Sequence, residues 1–153
     1  MSQVEPDTIG FLVADVSRLI RSELDRRVTD AGLGLTPGQG RMLVHIGRFD
    51  TALRQTDLAE SMGVEAMTVT GFLDRLEAKG LIRRDPDPID RRAKRIRLTE
   101  AGKAMLERIA PLSAGLRADA AAGLSPREWR RFLDTLKTVR ANLAAAKATE
   151  AAA

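Results

Sequence analysis

The sequence predicts a mainly α chain with a small β element, in which helices flank a central helix–turn–helix–strand–loop–strand unit. Three observations predict it. Residues 55–99 hold two short amphipathic segments around Gly63, followed by two β-type runs around a polar, charge-dense loop. Long segments before and after this unit carry apolar residues at spacings of three and four, the helical period. Glycines and prolines fall between the periodic segments, where the chain must turn.

A chain of 153 residues, 44% hydrophobic and 30% charged, is the size and composition of one soluble globular domain with a modest core. No apolar run approaches the length needed to span a bilayer. The acidic N-terminal residues have no adjoining hydrophobic region, so no secretory signal is expected and the cytoplasm is the expected location. With no cysteine, there is no disulfide, thiolate metal site or thiol switch within the chain. A single histidine, His45, leaves little material for a zinc site or a His-based triad. No nucleophile–base pair, phosphate loop or metal cluster is legible, so an enzyme is not expected and no cofactor is implied. Aromatics at 3%, with no tyrosine, argue against a stacking platform for single strands.

The net charge of +4 is modest, but its distribution is not even. Between residues 83 and 97 there are seven basic side chains (Arg83, Arg84, Arg91, Arg92, Lys94, Arg95, Arg97) against Asp85, Asp87 and Asp90. This local surplus equals that of the whole chain. Such a patch suits a polyanion; the same charges also suit a solvated hairpin.

The elements follow in order. In residues 7–30, Ile9, Leu12, Val13, Val16, Leu19, Ile20 and Leu24 form a helical stripe, capped by Asp7 or Thr8. Gly32 and Gly34 then break the helix. Thr36, Pro37 and Gln39 read as N-cap, first helical position and capping-box partner of a second helix, with Met42, Leu43 and Ile46 facing inward. His45 lies off that line and suits a partly buried packing role or a ligand contact. A short helix from Gln55 carries Leu58, Ala59 and Met62 inward, Gly63 allows the turn, and a helix over about 65–79 buries Val69, Phe72, Leu73 and Leu76. Its other face offers Met67, Thr68, Thr70, Gly71, Asp74 and Arg75; small hydroxyl and methyl groups of this kind reach base edges, phosphates or thymine methyls.

Residues 81–85 and 94–98 read as two strands, and the loop between them carries Pro86 and Pro88. Thr99 caps a helix with Ala101, Met105, Ile109, Leu112 and Leu116, which Pro111 should bend. Ser125 and Glu128 form a second capping box, ahead of a helix carrying Trp129, Phe132, Leu133, Leu136, Val139 and Leu143. An alanine-rich tail extends the helix and then frays. The first and last helices carry more apolar surface than the small central unit can cover. Packing on each other and on a second copy, as a twofold dimer, would cover it.

One set of residues is more specific than any periodicity: Asp90, one residue, Arg92, five residues, then Leu98-Thr99, followed by Glu100-Ala101-Gly102. Leu35-Thr36-Pro37 with Gln39 and Arg41, Gln55 with Leu58-Ala59, and Asp74-Arg75-Leu76-Glu77 ahead of Gly80-Leu81-Ile82 accompany it. In this order and spacing the chain resembles MarR-family (multiple antibiotic resistance regulator) transcription factors over nearly its full length. The resemblance implies a winged helix-turn-helix with N- and C-terminal dimerisation helices. The corresponding division is residues 1–34 (dimerisation helix), 35–99 (DNA-binding lobe), 100–147 (dimerisation helices) and 148–153 (frayed tail).

It further implies a homodimer that binds double-stranded DNA at a pseudo-palindromic operator, usually as a repressor. The helix over 65–79 would enter the major groove with Met67, Thr68, Thr70, Gly71 and Arg75. The wing tip would enter the flanking minor groove with Arg92, braced by an ion pair to Asp90, while Arg91 and Lys94 contact phosphates. A narrow A·T-rich minor groove concentrates negative potential and favours an inserted arginine. Two positions depart from the family pattern. Gly71 stands where relatives often carry a basic or bulky residue, and either permits closer approach or removes a phosphate contact. Gly40 stands where relatives often carry an aromatic, and either widens a ligand cleft or is filled by a neighbour.

Family members often bind small aromatic or amphipathic ligands between the dimerisation helices and the DNA-binding lobe. The corresponding lining is Leu12, Val16, Leu19, Gly40, Leu43, His45, Met105 and Ile109, and a ligand there would shift the population of lobe spacings. The same stripes also suit plain core. An alternative function is a protein-interaction module on the same fold with little specific DNA binding.

Overall fold

The computed structural model describes residues 5, 7–49 and 51–151. Among these the periodic segments become six helices, α1 (Ile9–Asp30), α2 (Pro37–Ile46), α3 (Gln55–Met62), α4 (Ala66–Ala78), α5 (Glu100–Ala120) and α6 (Pro126–Ala151). Three short strands, β1 (Leu53–Arg54), β2 (Ile82–Pro86) and β3 (Lys94–Leu98), form one antiparallel sheet in the order β1-β3-β2. Most of the acidic N-terminal segment and the last two residues of the tail lie outside the described residues. The chain divides into two compact units, residues 1–116 and 117–153.

In the first unit, helix starts follow the local chemistry. The backbone N–H of Gln39 donates to Thr36 Oγ1 and that of Thr36 donates to Gln39 Oε1, closing the capping box of α2. This gives the buried Gln39 amide a partner. Thr99 caps α5 by accepting from Gly102 N at 3.0 Å, and its hydroxyl donates to Gly80 O at 2.6 Å. One threonine thus ties the end of β3 to the turn between α4 and β2. Gly102 makes that junction possible: a Cβ there would stand 2.0 Å from the carbonyl oxygen of Leu81. α5 continues through Pro111 as one helix.

The core is assembled from one stripe per element. Met42 and Leu43 of α2, Leu58 of α3, Val69, Leu73 and Leu76 of α4, Ile82 and Ile96 of the sheet, and Ile109 of α5 are all buried. Phe72 is only half-buried, against this core rather than within it. Its ring occupies the space where a side chain at Gly38 would begin.

The third strand is a correction to the two-stranded reading. β1 pairs Leu53 with Ile96 and Arg54 with Arg95 along the free edge of β3. Two residues cannot show an alternation, so this strand exists only through its pairing.

The lower end of α1 packs on α2 through Val28, whose Cγ1 lies 3.1 Å from where a Gly40 Cβ would stand. The upper part of α1 is different: Ile9, Phe11, Leu12, Val13, Val16, Leu19 and Ile20 are all exposed.

In the second unit α6 begins with the expected capping box, Ser125 N to Glu128 Oε2 at 2.8 Å and Glu128 N to Ser125 Oγ at 3.3 Å. It remains helical to Ala151, past the expected start of fraying at 148. Phe132, Leu133 and Leu143 are exposed along it.

Candidate nucleic-acid interface

α3 and α4 are joined by Gly63, which sits in the left-handed region at φ 61° and turns the chain without a Cβ clash. The orientation of α4 is then fixed at both ends. Near its C-terminus, Asp74 and Glu77 grip β2: Arg84 Nη2 donates to Asp74 Oδ1 at 2.7 Å, and the Arg84 backbone N–H donates to Glu77 Oε1 at 3.1 Å. Near its N-terminus, Gln55 of α3 donates through Nε2 to Thr70 Oγ1, and that hydroxyl donates in turn to Ala66 O at 3.0 Å.

Thr70 has a second role that the sequence reading did not give it. It is half-buried, and its oxygen accepts from Gln55, so it ties α3 to α4. Gln55 is the residue the sequence reading did not place in the site. The exposed face of α4 carries Met67, Thr68, Gly71 and Arg75, with Asp74 and Glu77 exposed beside them and engaged with Arg84. A Cβ added at Gly71 would meet nothing within 4 Å, so the glycine is not required by packing.

The wing is the β2–β3 hairpin, and its loop is organised by Asp87. The Asp87 side chain is fully buried. Its Oδ1 accepts the backbone N–H groups of Ile89 at 2.8 Å and Asp90 at 3.0 Å. Its Oδ2 accepts Nε of Arg95 at 2.8 Å and Nε of Arg54 at 2.9 Å. The Arg95 guanidinium first, then the Asp90 amide, Arg54 and the Ile89 amide hold the carboxyl well below the usual aspartate range. The Asp87 N–H to Ala93 O bond (3.0 Å) and the Ala93 N–H to Asp90 O bond (2.9 Å) close the loop.

The brace is therefore Asp87, and the predicted Asp90–Arg92 ion pair does not form among the described residues. Asp90 shapes the tip differently, its Oδ1 accepting the backbone N–H of Arg92 at 3.0 Å. That leaves the Arg92 side chain free to project. An arginine in an Asp-x-Arg pattern is an obvious partner on sequence grounds. Asp87 takes the arginines instead because Arg54 and Arg95 are partners across β1 and β3 and reach the same carboxylate oxygen together.

The seven cations of the wing region divide sharply. Arg83 and Arg97 both pair with Asp85, Arg84 with Asp74 and Glu77, and Arg95 with Asp87. Arg91, Arg92 and Lys94 are exposed and have no carboxylate partner among the described residues. The local charge surplus is thus concentrated at the tip.

Residues 35–94 match the family model described as the MarR family. The match runs from the α2 cap to the start of β3. The fold is similar to that of "transcriptional regulator PA3341", with 37% identity over 89% of this chain and 98% of that one and a TM-score of 0.76. It is also similar to a MarR-family transcriptional regulator from Silicibacter pomeroyi, with 30% identity over 87% of this chain and 88% of that one and a TM-score of 0.74. The chain belongs to the MarR family.

CouR from Rhodococcus jostii RHA1, solved with p-coumaroyl-CoA bound, is 27% identical over 90% of this chain and 95% of that one, with a TM-score of 0.71. The present MarR-family chain thus has the winged-helix fold of a transcriptional regulator.

The residues expected to line a ligand pocket are scattered in burial. Leu12, Val16 and Leu19 are exposed on α1, His45 and Met105 are half-buried, and Gly40, Leu43 and Ile109 are buried in the core. Gly40 is filled by Val28 and widens no cleft. A described cavity of about 460 Å³ lies elsewhere, between Phe49, Arg83, Arg97, Leu98 and Lys103.

His45 Nε2 lies 2.7 Å from Ser61 Oγ, a serine–histidine contact not foreseen from sequence. The Ser61 hydroxyl also donates to Leu58 O at 3.1 Å, and the contact ties α2 to α3. Burial, then the Arg48 charge, lowers the His45 pKa.

Among the described residues no helix is long and apolar enough to cross a membrane.

Proposed function

We propose that this MarR-family protein is a homodimeric, sequence-specific double-stranded DNA-binding repressor of the cytoplasm. Each subunit places α4 in a major groove and its wing tip in the flanking minor groove. The observation that carries this reading is the set of unpartnered cations Arg91, Arg92 and Lys94 on a loop pinned from below by Asp87. Arg92 enters the minor groove, where narrowing strengthens the negative potential. Arg91 and Lys94 contact phosphates. Met67, Thr68, Gly71 and Arg75 meet the major groove, and Thr70 positions them.

Dimerisation is supported by the exposed apolar face of α1 and by exposed Phe132, Leu133 and Leu143 on α6. A twofold dimer matches two half-sites one helical turn apart. An effector of small aromatic or amphipathic type is supported by CouR, whose structure holds p-coumaroyl-CoA. Of the lining expected for it, Leu12, Val16, Leu19 and Met105 are the parts with exposed surface. Bound ligand would favour a lobe spacing that no longer fits the half-sites.

The test is binding to the promoter duplex beside the protein's own gene, repeated across salt. Specific binding shows a steep salt slope and survives competitor DNA. Arg92→Ala should weaken it by on the order of tenfold, and Arg131→Ala on exposed α6 should not. Equal binding by both variants removes the wing assignment, and sedimentation at the mass of one chain at micromolar concentration removes the dimer. A second reading, a protein-interaction module on this fold, is favoured by one feature: Arg75 is the only cation on the exposed face of α4, which also carries Asp74 and Glu77. Absence of specific binding to any duplex would support it.

A further inference from the structure

Two large apolar side chains stand far more exposed than any other among the described residues, Met67 at 87% and Ile89 at 84%. Neither belongs to the exposed faces of α1 or α6. Met67 opens α4, and Ile89 sits at the wing tip. We infer that Ile89 is a minor-groove contact that selects A·T over G·C pairs in the flanks of the operator, beside the groove position of Arg92. This rests on the wing placement proposed above.

The loop presents Ile89 rather than leaving it loose. Its backbone N–H is held by the buried Asp87 carboxylate, Pro88 precedes it, and the next residue's N–H goes to the same carboxylate oxygen. The charged residues that follow it are Asp90, whose carboxylate accepts the Arg92 backbone N–H, and Arg91, Arg92 and Lys94, which have no carboxylate partner among the described residues. An apolar tip followed by three unpartnered cations, with its one carboxylate turned to the backbone, fits a surface with anionic walls and an apolar floor. The minor groove of A·T pairs is such a surface: phosphates line its walls, and the floor shows adenine C2–H and sugar C–H groups between scattered acceptors. A G·C pair adds the guanine 2-amino group to that floor. A branched aliphatic side chain cannot accept a hydrogen bond from it, so docking would bury an unpaired donor. Apolar side chains of this kind are used in minor grooves elsewhere.

The experiment uses a duplex recovered by random-oligonucleotide selection with the parent protein, in three versions. The flanking pairs contacted by the wing are A·T, G·C or inosine·C. Inosine keeps the major-groove pattern of guanine and lacks the minor-groove amino group. The parent should bind the A·T and inosine·C versions alike and the G·C version on the order of tenfold more weakly. Ile89→Ser, at an exposed position, should leave thermal unfolding unchanged and shrink the A·T to G·C ratio by more than about twofold, whereas Ile89→Val should retain it.

A ratio for Ile89→Ser within about twofold of the parent's overturns the inference and leaves the exposed isoleucine to a partner other than DNA, such as a protein. So does a parent that rejects inosine·C as strongly as G·C, because the discrimination would then run through the major groove. A parent that selects no duplex at all overturns the DNA-binding reading itself, a separate and earlier readout.

Discussion

Arg95 Nε donates to Asp87 Oδ2 at 2.8 Å, and the Asp87 side chain has no solvent exposure. The same oxygen accepts Arg54 Nε at 2.9 Å. One carboxylate therefore bridges two guanidinium groups that would otherwise repel across the β1–β3 pair, while its other oxygen shapes the wing tip. Removing one member of such a network exposes the charges it balanced.

Asp87→Asn should lower both thermal stability and DNA affinity, and it should change the acid response. The folded-state pKa lies below the ordinary aspartate value of 3.8. The contribution is therefore complete above that value and is lost as the pH falls through the depressed folded-state pKa. Chemical denaturation at about pH 6 and about pH 3 should show the gap between parent and variant narrowing in acid. A constant gap would mean that the carboxylate's charge is not what stabilises the loop.

Thr70 and Gln55 make a second prediction. Thr70→Val removes an acceptor for Gln55 and a donor to Ala66 O. It should cost about 0.5–1.5 kcal/mol per lost bond in denaturant unfolding, and Thr70→Ser should retain most of that. Site selection with Thr70→Ser should return the parent's operator, because the hydroxyl faces α3 and not the groove. A changed consensus would place Thr70 in base contact after all.

Two helical glycines should respond oppositely to alanine. Gly71 has open space around its missing Cβ, so Gly71→Ala should raise stability by roughly 0.5–1 kcal/mol through helix propensity alone. Gly102 has the Leu81 carbonyl in that place, so Gly102→Ala should lower stability by about 1–3 kcal/mol despite the better propensity. Urea titrations of the two variants measure both. A destabilised Gly71→Ala would show that the space is not free in solution.

The elements with their own periodicity and caps were legible from the chain: α2 with Thr36 and Gln39, α4 with Val69, Leu73 and Leu76, and α6 with Ser125 and Glu128. Strand β1 was not, because two residues carry no period. In the candidate site, the exposed Met67, Thr68, Gly71 and Arg75 were readable as the polar side of an amphipathic helix. The tie from Thr70 to Gln55 was not readable, because the partner lies fifteen residues away, on another helix.

By itself, then, the sequence determined the order of the six helices and the two wing strands, the position of the turn at Gly63 and the family pattern ending in Leu98-Thr99. These depend on neighbouring residues, whose backbone preferences and hydrogen bonds act over one or two turns. The tertiary structure alone decided which charges cancel. Of the three acids between residues 83 and 97, Asp85 pairs with Arg83 and Arg97, Asp87 is buried between Arg54 and Arg95, and Asp90 caps a backbone amide. Charge pairing follows distance in space, and here strand pairing sets the distance. Arg54 reaches Asp87 from thirty-three residues away, while Arg92, two residues from Asp90, makes no ion pair with it.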